Sequence, residues 1–417
     1  MSIPNQSPPN QKESLLQGTI FFLVCSIPVS IGTLNPLAEI TITVSLLLST
    51  LLLVLYRRVS INDLQPLTRN TAILLMLYFG VGALTYFTHQ PTDSTLTRIG
   101  STLHFVLIIP IIIAIVNCKI DKKWLYFAII GGAILSGSHA LYQTFEIGMR
   151  ATGTINAVIF GGTSMLLGFM SLASWQRLSE MNYGYFWPII GFLFGIAGSL
   201  LSLSRGSWII TPALIICTII YAHYNTHVSR KDTLPAAIGG FAVLAILIWW
   251  LWPYFGPRIN VAVDQWNQYF AGESYFNSIG LRLEIWKAAF FTIQDNPLLG
   301  AGMGGRQEAF AGLLADGRVR DISYLYHVHN QVLQDGADKG LLGIASYLAL
   351  MGYLIHYFYK GVKQKLKNSD IHFVGLLLVV GYLFLGITNV TFNHGVWNTF
   401  FVAMLALIFC FTENQEK

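Results

Sequence analysis

HVHNQVLQDGADKGLLG, residues 327–343, stands where a long polar segment ends and an apolar run begins. We therefore expect its two histidines to face water at a membrane surface, with a helix below them. Asn330 is a residue type that caps helices or orients a neighbouring ring. Gly336 and Gly340 are four residues apart, a spacing that lets a helix pack closely on another. The apolar runs on either side of this stretch decide the fold.

The composition predicts an integral membrane protein. Hydrophobic residues make up 54% of the 417 residues and charged residues only 11%, and the mean hydropathy is +0.56. A soluble domain has about 25% charged residues. The net charge of +5 is less informative than the placement of the charges. The four cysteines lie in or at the ends of apolar runs, so no disulfide framework or zinc pair is expected.

Apolar runs of about 20 residues, the length of a membrane-spanning helix, recur along the chain. They predict an all-α polytopic membrane protein with about twelve transmembrane helices. The first run follows a polar start without a basic cluster or a clear cleavage site, so we expect a retained span and no signal peptide. The runs lie near residues 18–34, 36–56, 71–88, 101–117, 123–143, 154–174, 186–203, 206–222, 235–253, 331–358, 371–388 and 395–412.

The basic residues of the short connections assign the two sides of the membrane. One set of connections carries thirteen lysines and arginines and the opposite set three, which predicts that both termini are cytoplasmic. The chain then divides into residues 1–253 with transmembrane helices 1–9, a large and partly helical periplasmic loop at 254–328, and residues 329–417 with helices 10–12 and a short cytoplasmic tail. In a bacterium this is the inner membrane.

Arginine and lysine are distributed differently between the two sides. The predicted outer side has eight arginines and two lysines, whereas the cytoplasmic side has five arginines and ten lysines. Any positive charge sets orientation, but only a guanidinium grips phosphate oxygens in pairs. The outer side is thus suited to phosphate, although each arginine could instead reach lipid headgroups or pair with an acidic residue of the loop. The eight are Arg98, Arg150, Arg205, Arg258, Arg282, Arg306, Arg318 and Arg320.

Two of these arginines are the main candidates for an anionic ligand. Arg205 lies in a turn between two apolar runs, where a charge costs roughly 2.5–3.5 kcal/mol on insertion scales. It should therefore have an anionic partner, either Glu39 or a lipid pyrophosphate. Arg282 lies in a segment of helical periodicity, 281–290, which we expect along the membrane surface. Glu284 is two residues away and points elsewhere, which favours pairing of Arg282 with a substrate.

Gly300, Gly302 and Gly305 satisfy the G-x-G-x-x-G pattern of nucleotide-binding loops. That fingerprint requires a preceding strand and a βαβ unit, whereas the preceding residues look helical and lie outside the membrane. We reject a nucleotide site. The run predicts a turn that lets backbone approach a lipid or sugar, or else a plain loop.

Four histidines belong to the arginine-rich side: His89, His327, His329 and His394. A catalytic zinc site would need a third protein ligand, and the chain has no His-Glu-x-x-His motif, so no metal is expected. An imidazole with a pKa near 6.5 is suited to take a proton from a sugar hydroxyl at neutral pH. His329 is the candidate general base.

These residues resemble the O-antigen ligases, a family that shares its superfamily with O-antigen polymerases and protein O-oligosaccharyltransferases. The ligase pattern His-[Asn/Ser/Gln]-x9-Gly-x-x-[Gly/Thr/Tyr] is met by His329, Asn330, Gly340 and Gly343. The turn at 204–206, the segment 282–286 and the glycine run after Pro297 look like the superfamily's other markers. The resemblance extends over nearly the whole chain.

The resemblance implies a glycosyl transfer that needs no cofactor, metal or nucleic acid. The donor would be a polysaccharide on undecaprenyl pyrophosphate, and the acceptor a sugar hydroxyl of lipid A-core. His329 would deprotonate the acceptor, Arg205 and Arg282 would hold the pyrophosphate, and the anomeric centre would invert. Further substrate contacts are expected from Arg98, Arg306, Arg318, Arg320, His327 and Asn330.

Two other functions remain open from the sequence. An O-antigen polymerase would use the same donor with a second lipid-linked glycan as acceptor. A transporter would have broken helices and charges near the middle of the membrane. The charges here lie mainly at the predicted outer surface, which disfavours a transporter.

Overall fold

The structure is a computed structural model that describes residues 11–56, 65–89, 93–116, 118–225, 230–322 and 325–412. Over these residues the chain is helical and contains no strand. The helices are α1 (Gln11–Ser30), α2 (Asn35–Tyr56), α3 (Pro66–Thr88), α4 (Asp93–Thr102), α5 (His104–Ile115), α6 (Lys123–Phe145), α7 (Ala157–Ser171), α8 (Trp175–Ser179), α9 (Phe186–Leu201), α10 (Arg205–Trp208), α11 (Thr211–Tyr224), α12 (Arg230–Phe270), α13 (Gly280–Asp295), α14 (Arg306–Ala315), α15 (Gln331–Lys363), α16 (Ser369–Leu385) and α17 (Gly395–Thr412).

Nine helical segments of the described chain are long and apolar enough to cross a bilayer, which confirms a many-span membrane protein. Two shorter apolar helices, α9 and α16, accompany them. The number of twelve and the periplasmic loop stay predictions. The nine segments are Gln11–Ser30, Asn35–Tyr56, Pro66–Thr88, Thr95–Ile115, Lys123–Phe145, Ala157–Ser179, Arg205–Tyr224, Gln331–Lys363 and Gly395–Thr412.

The helix α17 forms the centre of the bundle, since 94% of its apolar stretch is buried inside the protein. Glycines bring other helices into backbone contact. A Cβ atom on Gly195 of α9 would lie 2.5 Å from Cα of Gly168 in α7, and one on Gly137 of α6 would lie 2.4 Å from the Phe194 carbonyl oxygen. Such close approach lets dispersion forces hold helices that lipid would otherwise separate.

A second, smaller apolar core lies in the segment after α12. It joins α13, α14 and the residues before α15, and its fully buried members include Ile285, Ala289, Val328 and Ala337. The predicted helix at 281–290 is therefore present as α13, and its apolar face packs on protein. The predicted boundary at 253/254 falls inside α12, which continues without interruption to Phe270.

The helix α15 is interrupted at Gly340, whose φ of 63° and ψ of −158° are not helical. The turn 297–302 fills the interruption: Leu341 N donates to the Pro297 carbonyl at 2.8 Å, and Ala301 N donates to the Ala337 carbonyl at 2.8 Å. A Cβ atom on Gly340 would lie 2.4 Å from the Leu298 carbonyl oxygen. The glycine-rich turn thus brings backbone close to this chain's own helix, where we had expected a lipid or sugar.

Candidate active site

The His-Val-His segment is fixed through its middle residue. Val328 is fully buried in the second core. Its N–H donates to Oε1 of Gln334 at 2.8 Å, and its carbonyl accepts from Nε1 of Trp286 at 3.0 Å. Since both backbone groups and the side chain of Val328 are held, His327 and His329 have little freedom to move.

His329 has a left-handed backbone, with φ of 57°. Non-glycine residues adopt this conformation uncommonly, although histidine does so more readily than most. The next residue, Asn330, caps α15 as expected: its side-chain oxygen accepts from Leu333 N at 3.0 Å, while its amide nitrogen donates to the Ile387 carbonyl at 3.1 Å. His329, with its left-handed backbone, therefore comes immediately before the N-cap of α15.

The two imidazole rings lie edge to face, with centroids 4.0 Å apart. Among the described residues, neither Nδ1 atom has a hydrogen-bond partner, and both atoms are buried. Burial, together with the positive charges of His327 and Arg282, lowers the pKa of His329 to about 3. Burial and the nearby charges of Arg306, His394, Arg282 and Arg98 lower the pKa of His327 to about 4. Both rings are therefore neutral at physiological pH.

Arg282, in the first turn of α13, lies near enough to both histidines that its charge lowers their pKa values. Burial and the charge of Arg205 lower its pKa. Within the described part of the chain, its side chain makes no hydrogen bond or ion pair. Glu284 turns elsewhere, accepting from the Tyr269 hydroxyl at 2.9 Å. Arg282 is thus a half-buried cation between the histidines and Arg205.

Arg205 is held by neutral groups only, as far as the described residues extend. Its Nη2 donates to Ser278 Oγ at 2.6 Å and Gln265 Oε1 at 3.2 Å, and its Nη1 donates to the Arg258 carbonyl at 3.4 Å. The prediction that Glu39 could be the internal partner of Arg205 is wrong. Among the described residues Glu39 does not pair with Arg205, and its side chain lines a separate cavity together with His104. The arginine is oriented but its charge is not neutralised.

Arg306 and Arg98 share one buried carboxylate. Arg306 is 1% exposed, and its Nε donates to Asp338 at 2.8 Å while Nη2 donates to the Tyr326 carbonyl at 2.8 Å. Arg98 approaches the other oxygen of Asp338 at 3.9 Å. Gln334 also bonds that carboxylate. Asp338 therefore supports the histidine segment through Arg306 on one side and through Gln334 on the other.

The remaining two candidate arginines pair with acidic residues of α13. Arg318 pairs with Asp295 at 2.7 Å and lies over the Phe291 ring. Arg320 is 46% exposed and lies 3.9 Å from Glu284. For Arg318 and Arg320 the structure therefore favours ion pairs within the protein over contacts with a substrate.

Sequence reasoning missed Trp286, Gln334 and Asp338, which hold the histidine segment in place. A signal was present, because Gln331, Gln334, Asp335, Asp338 and Lys339 are polar residues at helical spacing in a membrane span. All five are buried, and such residues usually face the inside of a bundle and pair with one another. No three side chains of His, Cys, Asp or Glu come together in the described residues, and the absence of a metal stays a prediction.

Comparisons with known proteins support the resemblance to the O-antigen ligases. Residues 190–348 match the family model described as O-antigen ligase. An O-antigen ligase of Escherichia coli strain K12 is 26% identical over 193 residues, which cover 46% of this chain and 43% of that protein. An uncharacterized protein of Haemophilus influenzae is 25% identical over 324 residues, 75% of this chain and 79% of that protein. The matched range contains Arg205, Arg282 and both histidines. The predicted resemblance of this chain to the O-antigen ligase family is thus confirmed over residues 190–348.

Proposed function

We propose that this chain is an O-antigen ligase that transfers a polysaccharide from undecaprenyl pyrophosphate to a sugar hydroxyl of lipid A-core. The reaction takes place at the periplasmic face of the bacterial inner membrane, with both termini in the cytoplasm. It uses no metal or other cofactor. The family match over residues 190–348 supports the ligase or polymerase type of reaction.

One observation carries the proposal: Arg282 and Arg205, two guanidinium groups without a carboxylate partner among the described residues, lie near each other, and the charge of Arg282 also acts on the neutral imidazole of His329. Arg306 and Arg318 are, by contrast, paired with Asp338 and Asp295. A protein keeps a half-buried cation unpaired at a cost, and a site for an anionic ligand supplies the missing partner. The diphosphate of a lipid-linked glycan has the charge and the paired oxygens that two arginines bind.

The chemistry follows from these positions. His329 takes the proton of the acceptor hydroxyl, and the oxygen forms a bond to the anomeric carbon of the donor sugar. The bond from that carbon to the diphosphate breaks, and its electron pair leaves with undecaprenyl pyrophosphate. Arg282 and Arg205 stabilise the negative charge that develops on the leaving group, and the imidazolium returns its proton to water. A single displacement inverts the anomeric centre.

The direct test is to incubate the purified protein in lipid with a lipid-linked glycan and rough lipopolysaccharide. We expect the two to become one molecule, and we expect His329→Ala to reduce this product by a factor on the order of 10² to 10⁴, the usual contribution of a general base. Normal product from His329→Ala would exclude His329 as the base.

The polymerase alternative is separated by a second experiment. A strain that lacks a ligase leaves long glycans on the carrier lipid, whereas a strain that lacks a polymerase leaves single repeats on the core. We expect the first pattern for a deletion of this chain, restored by the intact protein and not by His329→Ala. The second pattern would show a polymerase.

A further inference from the structure

An exposed apolar stripe runs along the outer part of α12. Its members are Ile259, Val263, Trp266 and Phe270, each between 43% and 63% exposed. Their spacing of four, three and four residues places all four on one face of the helix. A contiguous apolar face of this kind in water is uncommon and usually marks contact with lipid or another protein.

The other faces of the same helix have different surroundings. Asn260 and Asp264 are exposed and polar. A third face is attached to the protein: Gln265 bonds Arg205, and the Tyr269 hydroxyl bonds Glu284 at 2.9 Å. The segment is therefore amphipathic, with one side bound to the candidate site and an adjacent side left apolar.

The contacts of Arg205 fix the depth of this segment. Arg205 is the first residue of a membrane span, and it bonds both the Arg258 carbonyl and Gln265. Seven residues of helix rise only about 10 Å, so the chain from 258 to 265 stays near the end of that span. The exposed Trp249 and Trp252 precede it on the same helix, as aromatic residues do at an interface. The stripe thus continues a helix that already presents exposed tryptophans next to the predicted span at 235–253.

We infer that residues 254–270 do not stand free in the periplasm but lie in the outer interface, with the Ile259–Phe270 stripe inserted among the lipid chains of the outer leaflet. The occupant of the stripe is lipid because the stripe lies on the same helix as the apolar run 235–253, which the sequence predicts to cross the membrane. Insertion holds Gln265, and with it Arg205, at headgroup depth. If the proposed function holds, this is the depth at which the diphosphate of a lipid-linked donor lies.

Spin labels test the insertion without reference to activity. The four native cysteines are buried, so a nitroxide can be attached to Val263→Cys in the full chain, in vesicles of phosphatidylethanolamine and phosphatidylglycerol. We expect the label to meet oxygen several-fold more readily, relative to a water-soluble nickel chelate, than a label on the matched control Asp264→Cys, an exposed position on a polar face of the same helix. Ile259→Cys should repeat the result.

Two outcomes would overturn the inference. Equal access of the nickel chelate at 263, 259 and 264 would place the stripe in water. Spin–spin broadening at 263 that increases with protein density would show a second copy on the stripe in place of lipid.

A kinetic measurement tests the consequence for the site. Val263→Gln should raise KM for the lipid-linked donor several-fold and leave kcat nearly unchanged, and Asn260→Gln should change neither. A fall in kcat at constant KM would contradict the positioning role. If the wild-type protein joins no glycans at all, the proposed function fails, while the spin-label result still decides whether the stripe is inserted.

Discussion

His329 combines a strained backbone with a ring that cannot easily take up a proton in the free protein. A non-glycine residue in the left-handed region costs about 1–3 kcal/mol, and the bonds of Val328 and Asn330 on either side maintain it. The same packing that fixes the ring also desolvates it. A base of low pKa is weak. Bound substrate must therefore raise the pKa of His329 before the ring can take the proton of the acceptor.

This coupling predicts that two pH profiles separate. The acid limb of kcat/KM reports the free enzyme, and we expect it well below pH 6.5 because burial and the charges of His327 and Arg282 lower the pKa of His329 to about 3. The acid limb of kcat should lie at higher pH, because a bound diphosphate favours imidazolium. Initial rates from pH 4 to 8 measure both. Coincident limbs at pH 6.5 would contradict the assignment.

Replacing Arg282 by lysine tests the guanidinium rather than the charge. Lysine cannot bind two oxygens of a diphosphate with one planar group. We expect Arg282→Lys to lower kcat by roughly 10²–10³, the effect of removing one donor from a charge-stabilising site. Arg177→Lys, on an arginine paired with Asp121 and Glu180 far from the site, is the matched control and should retain the wild-type rate. Equal rates for both variants would exclude Arg282 from the reaction.

At the scale of elements, α15 consists of two parts joined at Gly340. The first part carries the buried charges and supports the histidine segment, and the second part crosses the membrane as an ordinary apolar helix. The turn 297–302 packs into the junction and fixes how α13 sits against α15. The geometry of Arg282 relative to His329 therefore depends on this junction.

Alanine at position 340 should destabilise the protein. The φ and ψ of Gly340 lie in a region that only glycine readily occupies, and the added Cβ would overlap the backbone of Leu298. We expect a lower thermal unfolding midpoint in detergent and reduced transfer. Gly352→Ala is the matched control on the same helix, because a Cβ there meets nothing within 4 Å. An unchanged midpoint for Gly340→Ala would show that the junction can relax.

Asp338 and Asp335 form a second matched pair. Both are buried on α15 and paired with a cation, Asp338 with Arg306 and Asp335 with Lys339 at 2.5 Å. Asp338 is connected to both sides of His327 through Arg306 and Gln334, whereas Asp335 bonds Tyr78 and Gln331. Each Asn variant should destabilise by an amount on the order of 3–5 kcal/mol or less.

The Asp338 and Asp335 variants should differ in the turnover of the molecules that still fold. We expect Asp338→Asn to reduce kcat, measured per folded molecule after gel filtration, more than Asp335→Asn does. Donor binding should change less than kcat. Equal losses in the two variants would show that Asp338 acts only through stability.

For the whole molecule, the apolar runs were sufficient to predict the helical membrane fold, because the length of a span is set by the bilayer. The helix at 281–290 and the start of α15 after Asn330 were also predictable from local pattern. The partners of the arginines were not. Asp338 meets Arg98 across 240 residues of chain, and a pattern within one helix does not say which other helix faces it.

Acid should destabilise the native protein through the two histidines. Their folded pKa values, about 4 for His327 and about 3 for His329, lie below the usual 6.5 of an unfolded chain. The unfolded state therefore binds more protons as pH falls from about 6.5 towards 4, and stability falls with it. Thermal unfolding midpoints across this range, compared with those of His327→Asn and His329→Asn, measure the effect. A variant as acid-sensitive as the wild type would exclude its histidine as a cause.

The buried charges in the first part of α15 also bear on how the chain enters the membrane. Asp335, Asp338 and Lys339 stand within nine residues of the helix start, so this part of the helix is a poor candidate to partition into lipid alone. Tyr78 of α3 contacts both Asp335 and Lys339, and α3 is synthesised long before α15. Insertion of the first part of α15 then requires that α3 already be in the membrane. Because α3 is translated earlier, its Tyr78 can contact the charged residues that lipid would not accommodate.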